Sequence, residues 1–259
     1  MSVQSFLGQR LTAVLVLLGL SVSALAELPE TIVQVKKSIV AVGTFQRTRS
    51  PPAVFRGTGF VVADGRHVLT NAHVLPDSID REKSETLAVF YKTQGKDRLR
   101  SAKSIAVDKT HDIALLRIAG SPMPVLRLGE SSRVREGELY SFTGFPIGMV
   151  LGLYPVTHRG IVSSITPIAI PALRANQLDP KLMRRLNEPY RVFQLDATAY
   201  PGNSGSPLYH PDTGVVIGII NKVFVKESKE NLLSKPSGIS YAIPIEYARK
   251  LLRSQHLNP

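Results

Sequence analysis

The chain has 259 residues, no cysteine and a formal net charge of +12 at pH 7. This length suits one domain, and the missing cysteines exclude a disulfide-stapled scaffold, so packing must stabilise the core. The charge predicts weak association with anionic envelope surfaces. Nucleic acid is not an expected partner, because the basic residues outside Arg174–Arg191 are scattered through strands and turns.

The first 26 residues have the pattern of an export signal. Arg10 precedes an apolar run from Leu11 to Val22, and Ala24 to Ala26 forms a small-residue cleavage site. The run is shorter than the roughly 20 residues that a membrane-spanning helix needs, which favours cleavage after Ala26 over a retained anchor. The sequence therefore predicts a periplasmic or secreted protein.

The mature region reads as all-β. Pro29–Lys37 predicts one or two helical turns, Ser38–Phe45 predicts a strand, and Arg47–Phe55 predicts an exposed loop. Short apolar or alternating runs follow, at a spacing typical of barrels or sandwiches. They lie at Gly57–Ala63, His67–Thr70, Thr86–Tyr91, Arg98–Val107 and Ile113–Ile118, and then at Leu139–Gly144, Val156–Ile165, Val192–Asp196, Ser206–Leu208, Val215–Ile220 and Ile239–Ile243.

A Gly/Pro-rich stretch from Ala119 to Pro124 predicts the crossing between two barrels. Residues 27–119 would form the first β-barrel. Residues 125–259 would form the second β-barrel, closed by a helix at Ile245–Leu252 whose apolar residues have helical spacing.

Three short motifs carry the residues of a nucleophilic hydrolase: TNAHV around His73, HDIALL around Asp112 and GNSGSPL around Ser204. A serine hydroxyl becomes an effective nucleophile when an imidazole takes its proton, and a carboxylate holds that imidazole in the correct tautomer. The glycines beside the serine let the backbone turn sharply and point N–H groups at one place. The order His, Asp, Ser differs from that of subtilisins and α/β-hydrolases.

These motifs belong to a longer series of blocks, which resembles the trypsin-like serine peptidases of the bacterial HtrA/Deg type. The blocks are GTGFVVADGRHVLTNAHVL (Gly57–Leu75), VDKTHDIALLRI (Val107–Ile118), RGIVSS (Arg159–Ser164), LDATAYPGNSGSPL (Leu195–Leu208), VIGI (Val216–Ile219) and GISYAIP (Gly238–Pro244). The resemblance covers the protease domain and no PDZ domain. It implies a chymotrypsin-like double β-barrel that hydrolyses polypeptides through an acyl-enzyme, on unfolded or exported substrates.

The resemblance also implies roles for individual residues. The oxyanion donors would be the N–H groups of Gly202, Asn203 and Ser204, with Gly202 and Ser204 the leading pair. The residue before the scissile bond would be surrounded by Thr198, Asn221, Lys222, Val223, Ile239 and Ser240. None of these is acidic, so a small or medium apolar residue is expected there rather than lysine or arginine.

One residue departs from the commonest HtrA pattern, which has glycine where this chain has Ser206. The GNSGSP sequence matches the glutamyl endopeptidases instead. Those enzymes have a substrate-binding histidine at the place of Ile220, so selectivity for glutamate is not expected.

Other features carry weaker expectations. Ala169–Tyr190 is long enough for a lid or docking loop, with disorder as the alternative. His111 is expected to be exposed, and no function is assigned to His67, His158, His210 or His256. No metal or cofactor is implied. The alternative function is a groove-binding, holdase-like or envelope-surface binding protein with little turnover.

Overall fold

The computed structural model describes residues 27–148, 152–167, 190–221 and 239–259. It confirms the predicted double β-barrel, since twelve antiparallel strands close into two barrels of six. The first contains β1 (Ile39–Phe45), β2 (Ala53–Val62), β3 (His67–Thr70), β4 (Thr86–Thr93), β5 (Lys96–Asp108) and β6 (Ile113–Ile118). The second contains β7 (Leu139–Gly144), β8 (Val156–Pro167), β9 (Arg191–Asp196), β10 (Pro207–Tyr209), β11 (Val216–Asn221) and β12 (Ile239–Pro244).

The two barrels have equivalent strand orders when the second is read in reverse. The first runs β1-β2-β3-β6-β5-β4 and the second β10-β11-β12-β9-β8-β7. The expected export signal, most of the expected lid at residues 169–190, and the predicted substrate-binding residues Lys222 and Val223 lie outside the described residues.

The hairpin of β1 and β2 extends further than the sequence predicts. Phe45 pairs with Ala53, so the loop expected to reach Phe55 ends before that strand begins. Phe55 packs edge-on against Phe90 of β4, with ring centroids 4.9 Å apart. This aromatic contact and the ladder pairing extend the strand, and they place Val54–Gly57 beside the cleft described below.

Apolar side chains form three clusters. One fills the first barrel, from Val40 of β1 to Ile118 of β6. Another fills the second barrel and includes Phe142 and Phe193. The largest has members from both barrels and lies between them. Burial of that shared cluster holds the two barrels together and fixes the groove where their ends meet.

Two helices flank the barrels. Helix α1 (Leu28–Lys36) has proline in its first turn and buries Thr31 and Val35. Helix α2 (Ile245–Ser254) confirms the predicted C-terminal helix. It packs against β5 and β6 of the first barrel and against β11 and β12 of the second. Neither helix is long and apolar enough to span a bilayer, within the part of the chain that the structure describes.

Candidate active site

His73 and Asp112 meet at the edge of the first barrel. His73 lies in a short 3₁₀ turn after β3, and Asp112 ends the turn between β5 and β6. The His73 Nδ1 atom is 2.6 Å from Asp112 Oδ2, and the His73 backbone N–H donates to Oδ1 at 2.9 Å. Both carboxylate oxygens are therefore used to orient one histidine, which leaves Nε2 as the ring atom available for proton transfer.

The Asp112 carboxylate is buried and held by further donors. The Asn221 side-chain amide donates to Oδ2 at 2.8 Å, and the Asp112 carbonyl accepts from the Asn71 amide at 3.0 Å and the Ala72 N–H at 3.1 Å. Burial acts to raise the pKa of Asp112, but hydrogen bonds and charge from His73, with the Asn221 bond, outweigh it and lower the pKa. The carboxylate is thus kept ionised next to the imidazole.

Two residues predicted to surround the substrate make internal contacts instead. The Asn221 side chain is fully buried and faces Asp112. The Ser240 hydroxyl donates to Ala197 O at 2.6 Å and accepts from the Ala199 N–H at 2.8 Å. These side chains shape the site from behind, because their polar groups are already paired. Thr198 is half-buried and Ile239 is 46% exposed.

Ser204 lies in a tight loop between β9 and β10 that crosses to the first barrel. The Thr58 N–H of β2 donates to Ser204 O at 2.8 Å, and the Thr58 hydroxyl donates to Gly202 O at 2.7 Å. The same hydroxyl accepts from the Phe145 N–H at 3.0 Å. One threonine of the first barrel therefore fixes the loop that carries the serine of the second.

The glycine at position 202 is required by its surroundings. Gly202 has φ +98°, and a Cβ there would collide with the Phe145 carbonyl oxygen. The next peptide group upstream is also fixed, since the Ile147 N–H donates to Pro201 O at 2.6 Å. Because a trans peptide points its N–H away from its C=O, this bond sets the direction of the Gly202 N–H.

The three N–H groups predicted to form an oxyanion hole differ in their contacts. The Asn203 N–H donates to Tyr200 O at 3.0 Å and is committed to the turn. Among the described residues, the N–H groups of Gly202 and Ser204 have no acceptor. Two N–H groups of the loop therefore remain as donors, and they belong to Gly202 and Ser204, the leading pair that the resemblance implies.

Comparison with known proteins places the chain in a family. Residues 57–219 match the model of the trypsin-like peptidase domain. The chain belongs to the trypsin-like peptidase family. Within the described residues of this peptidase, no group of three His, Cys, Asp or Glu side chains is placed to hold a metal ion.

Relatives of this peptidase include proteins of the HtrA type. A probable periplasmic serine endoprotease, DegP-like, from Pseudomonas fluorescens is 32% identical over 193 residues, covering 74% of this chain and 33% of the relative. The mitochondrial serine protease HTRA2 of Drosophila willistoni is 35% identical over 202 residues, covering 78% of this chain and 39% of the relative. The peptidase thus spans between a third and two fifths of the length of these curated relatives.

A solved structure shares the fold. The HtrA-type protease AlgW, determined with a tripeptide, superposes with a TM-score of 0.62 at 24% sequence identity. The match covers 88% of this chain and 62% of that chain.

A cleft of about 440 Å³ opens beside His73. It lies between β2 of the first barrel, at Val54–Gly57, and the loop after β7, at Phe145–Gly148, and Pro201 and Gly202 form its end. His73 is an exposed residue, whereas Ser204 is buried. No hydrogen bond joins the His73 ring to the Ser204 hydroxyl among the described residues. Such contacts are often long before substrate binds.

Ser206 fits two residues after Ser204 because of a glycine across the barrel. The residue is fully buried, and a Cβ on Gly144 of β7 would collide with the Ser206 hydroxyl. Serine at position 206, where HtrA proteins most often have glycine, therefore fits because position 144 is a glycine and has no side chain.

The sequence did not predict the contacts of three residues near the site. Thr58 binds the serine loop from the opposite barrel, and Asn221, predicted to surround the substrate, binds the Asp112 carboxylate from the opposite barrel. The side chain of His111, which was expected to be exposed, is 22% exposed. Thr58 lies within a quoted block and Asn221 lies two residues after one, but position in the sequence alone does not say which group a side chain touches.

Proposed function

We propose that this peptidase is a serine endopeptidase that cleaves polypeptides through an acyl-enzyme formed at Ser204. His73 would act as general base and then general acid, Asp112 would orient it, and the Gly202 and Ser204 N–H groups would stabilise the oxyanion. The observation that carries the proposal is the buried Asp112 carboxylate bound to both the ring and backbone nitrogens of His73.

The chemistry follows from these contacts. As Ser204 attacks the scissile carbonyl, its proton passes to His73 Nε2, and the imidazolium is stabilised by a carboxylate 2.6 Å from its other nitrogen. The imidazolium gives this proton to the leaving amine as the peptide bond breaks. His73 then takes a proton from the attacking water and returns it to the Ser204 oxygen as the acyl group leaves. The carboxylate that stabilises the imidazolium is already in place, whereas the Ser204 hydroxyl has still to reach His73 Nε2 when substrate binds.

The test uses the mature chain and its Ser204→Ala variant. The wild-type chain should degrade unfolded casein and react with a fluorophosphonate probe at Ser204. The variant should do neither, with a loss of about 10⁴-fold or more in turnover, because the nucleophile is removed. If the wild-type chain fully protected an unfolded protein but neither cleaved it nor reacted with the probe, the result would favour the holdase-like alternative.

Two finer expectations join the proposal. The periplasmic name of the DegP-like relative supports export of this chain, as residues 1–26 predict. Weak association with anionic envelope surfaces is supported by Lys103 and Arg117, exposed cations that pair across β5 and β6. Like charges directly opposite each other on a sheet are destabilising unless an anion neutralises them.

A further inference from the structure

The turn that presents Asp112 is held in an unusual conformation. Asp112 has φ +57°, a left-handed conformation that a residue with a side chain adopts at a cost of about 1 kcal/mol or more. The conformation persists only if neighbouring groups enforce it. The contacts to His73, Asn221 and Asn71 hold Asp112 from the side of the site.

A second set of contacts holds the turn from the opposite side, through His111. The Asp108 carboxylate lies 2.6 Å from the His111 Nδ1 atom and accepts the His111 backbone N–H at 3.0 Å. The imidazole is stacked on the Tyr247 ring of α2, with centroids 3.9 Å apart and planes 18° from parallel. Tyr190, just before β9, meets its edge at 4.7 Å.

These contacts come from three separate parts of the chain. Tyr190 and Tyr247 also contact each other edge-on at 5.4 Å, so the three rings form one cluster. Pairs of this kind add about 0.5–1.5 kcal/mol beyond the area that they bury. Rotation of the turn would have to move His111 off both tyrosines, because His111 is covalently adjacent to Asp112.

We propose that His111 is a positioning residue that acts through Asp112, and that Tyr247 completes it by stacking. The inference rests on the proposed function for its kinetic consequence, but its geometric content concerns only the His73–Asp112 contact. Stacking fixes His111, His111 fixes the backbone of the turn, and the turn aims the carboxylate at His73. Helix α2 thereby supports a catalytic group that it does not touch.

The decisive experiment reads the His73–Asp112 contact directly. The proton in this 2.6 Å bond should give a far-downfield resonance in the one-dimensional proton spectrum, and His73→Ala should abolish it. His111→Ala should remove or broaden this resonance and lower kcat about tenfold, since small displacements of positioned groups slow reactions strongly. KM should stay within about twofold, because no contact to substrate is changed.

Matched variants separate positioning from general loss of structure. His111→Phe keeps the stack and should retain the resonance and most of kcat. Tyr247→Leu, which leaves the turn's own sequence intact, should reproduce the effects of His111→Ala, and the double variant should be no worse than either. His210→Ala is the control, since His210 lies edge-on to Tyr140 at 6.2 Å and should leave both readouts unchanged.

An unchanged resonance and kcat in folded His111→Ala would overturn the inference, as would a rise in KM at constant kcat. If His111→Ala does not fold, Tyr247→Leu and His111→Phe decide in the same way. If the wild-type chain has no turnover at all, the proposed function fails, whereas the resonance still tests the positioning role.

Discussion

The Asp112 turn and the Ser204 loop sit on facing barrels and are held by different means. Three side chains hold Asp112, through the ring of His73 and the amides of Asn221 and Asn71, together with the backbone N–H groups of His73 and Ala72. Backbone groups and glycine fix the Ser204 loop, where Thr58 provides the one side-chain bond described above. The carboxylate needs charge-matched donors, whereas the oxyanion site needs bare N–H groups in one place.

The comparison predicts that the Ser204 loop is most sensitive to an added Cβ. Gly202→Ala would collide with the Phe145 carbonyl oxygen and oppose φ +98°. The loop must shift, and loss of one oxyanion donor costs about 10²–10³ in turnover. We expect a loss of this size in kcat/KM, measured on an internally quenched peptide.

Gly137→Ala is the matched control for Gly202→Ala. Gly137 has a similar φ of +88°, but nothing lies within 4 Å of the added Cβ. It should cost about 1 kcal/mol of stability and leave kcat/KM unchanged. An equal fall of kcat/KM in both variants would show that backbone strain, and not the position of the Gly202 N–H group, causes the loss. An unchanged kcat/KM in both would show that neither matters.

The Asp112 turn should respond to loss of a donor. Asn221→Ala removes the 2.8 Å bond to Oδ2, and bonds to charged groups contribute about 1.5–3 kcal/mol. We expect kcat to fall about tenfold. Because one group that lowers the pKa of Asp112 is lost, that pKa rises towards its ordinary value, and the part of the unfolding free energy that is lost in acid should be smaller than in the wild-type chain.

Urea titrations at neutral and acidic pH test the expectation for the pKa, with Ser240→Ala as a comparison. Ser240 is also buried and polar, but its bonds go to Ala197 and Ala199. Its loss should leave the acid-dependent part of the unfolding free energy as large as in the wild-type chain. An acid-dependent part of wild-type size in Asn221→Ala would mean that the amide does not tune the carboxylate.

The smallest expected effect is on stability in acid. The folded pKa of Asp112 lies below its ordinary value of 3.8, so ionisation stabilises the native state fully above that value. This contribution is lost as the pH falls below 3.8 and through the folded pKa. The unfolding free energy of the wild-type chain should exceed that of Asp112→Asn by about 1–2 kcal/mol near neutrality.

Urea titrations at a series of pH values check this expectation. The difference between the two chains should shrink only on the acid side. A constant difference from neutral to strongly acidic pH would assign it to packing rather than to charge.

Local motifs predicted much of this molecule. The strands have two-residue periodicity, and His73, Asp112 and Ser204 sit in short segments whose neighbours are specific, so both barrels and the candidate triad could be located. Contacts between distant segments could not be predicted from the sequence. Asn221 reaches Asp112 across 109 positions, and His111 packs on tyrosines of later elements, so neither contact leaves a local pattern.

The predicted start of β2 is wrong for a related reason. Pro51 and Pro52 indicated a loop, whereas Phe55 is drawn into the strand by Phe90 of a different hairpin. Ser240 is a further example of a contact that the sequence does not predict. The resemblance implies that Ser240 lies near the substrate, and the structure shows that its hydroxyl is bonded to backbone groups.

The hydrogen bond from Thr58 to Gly202 joins residues 144 positions apart and crosses from one barrel to the other. Closing so long a loop is entropically costly, and contacts of this kind form late in folding. During refolding, each barrel should therefore acquire its sheet before the serine loop is locked in place. Cleavage competence would be the last property to emerge, which limits self-digestion among chains that are still folding.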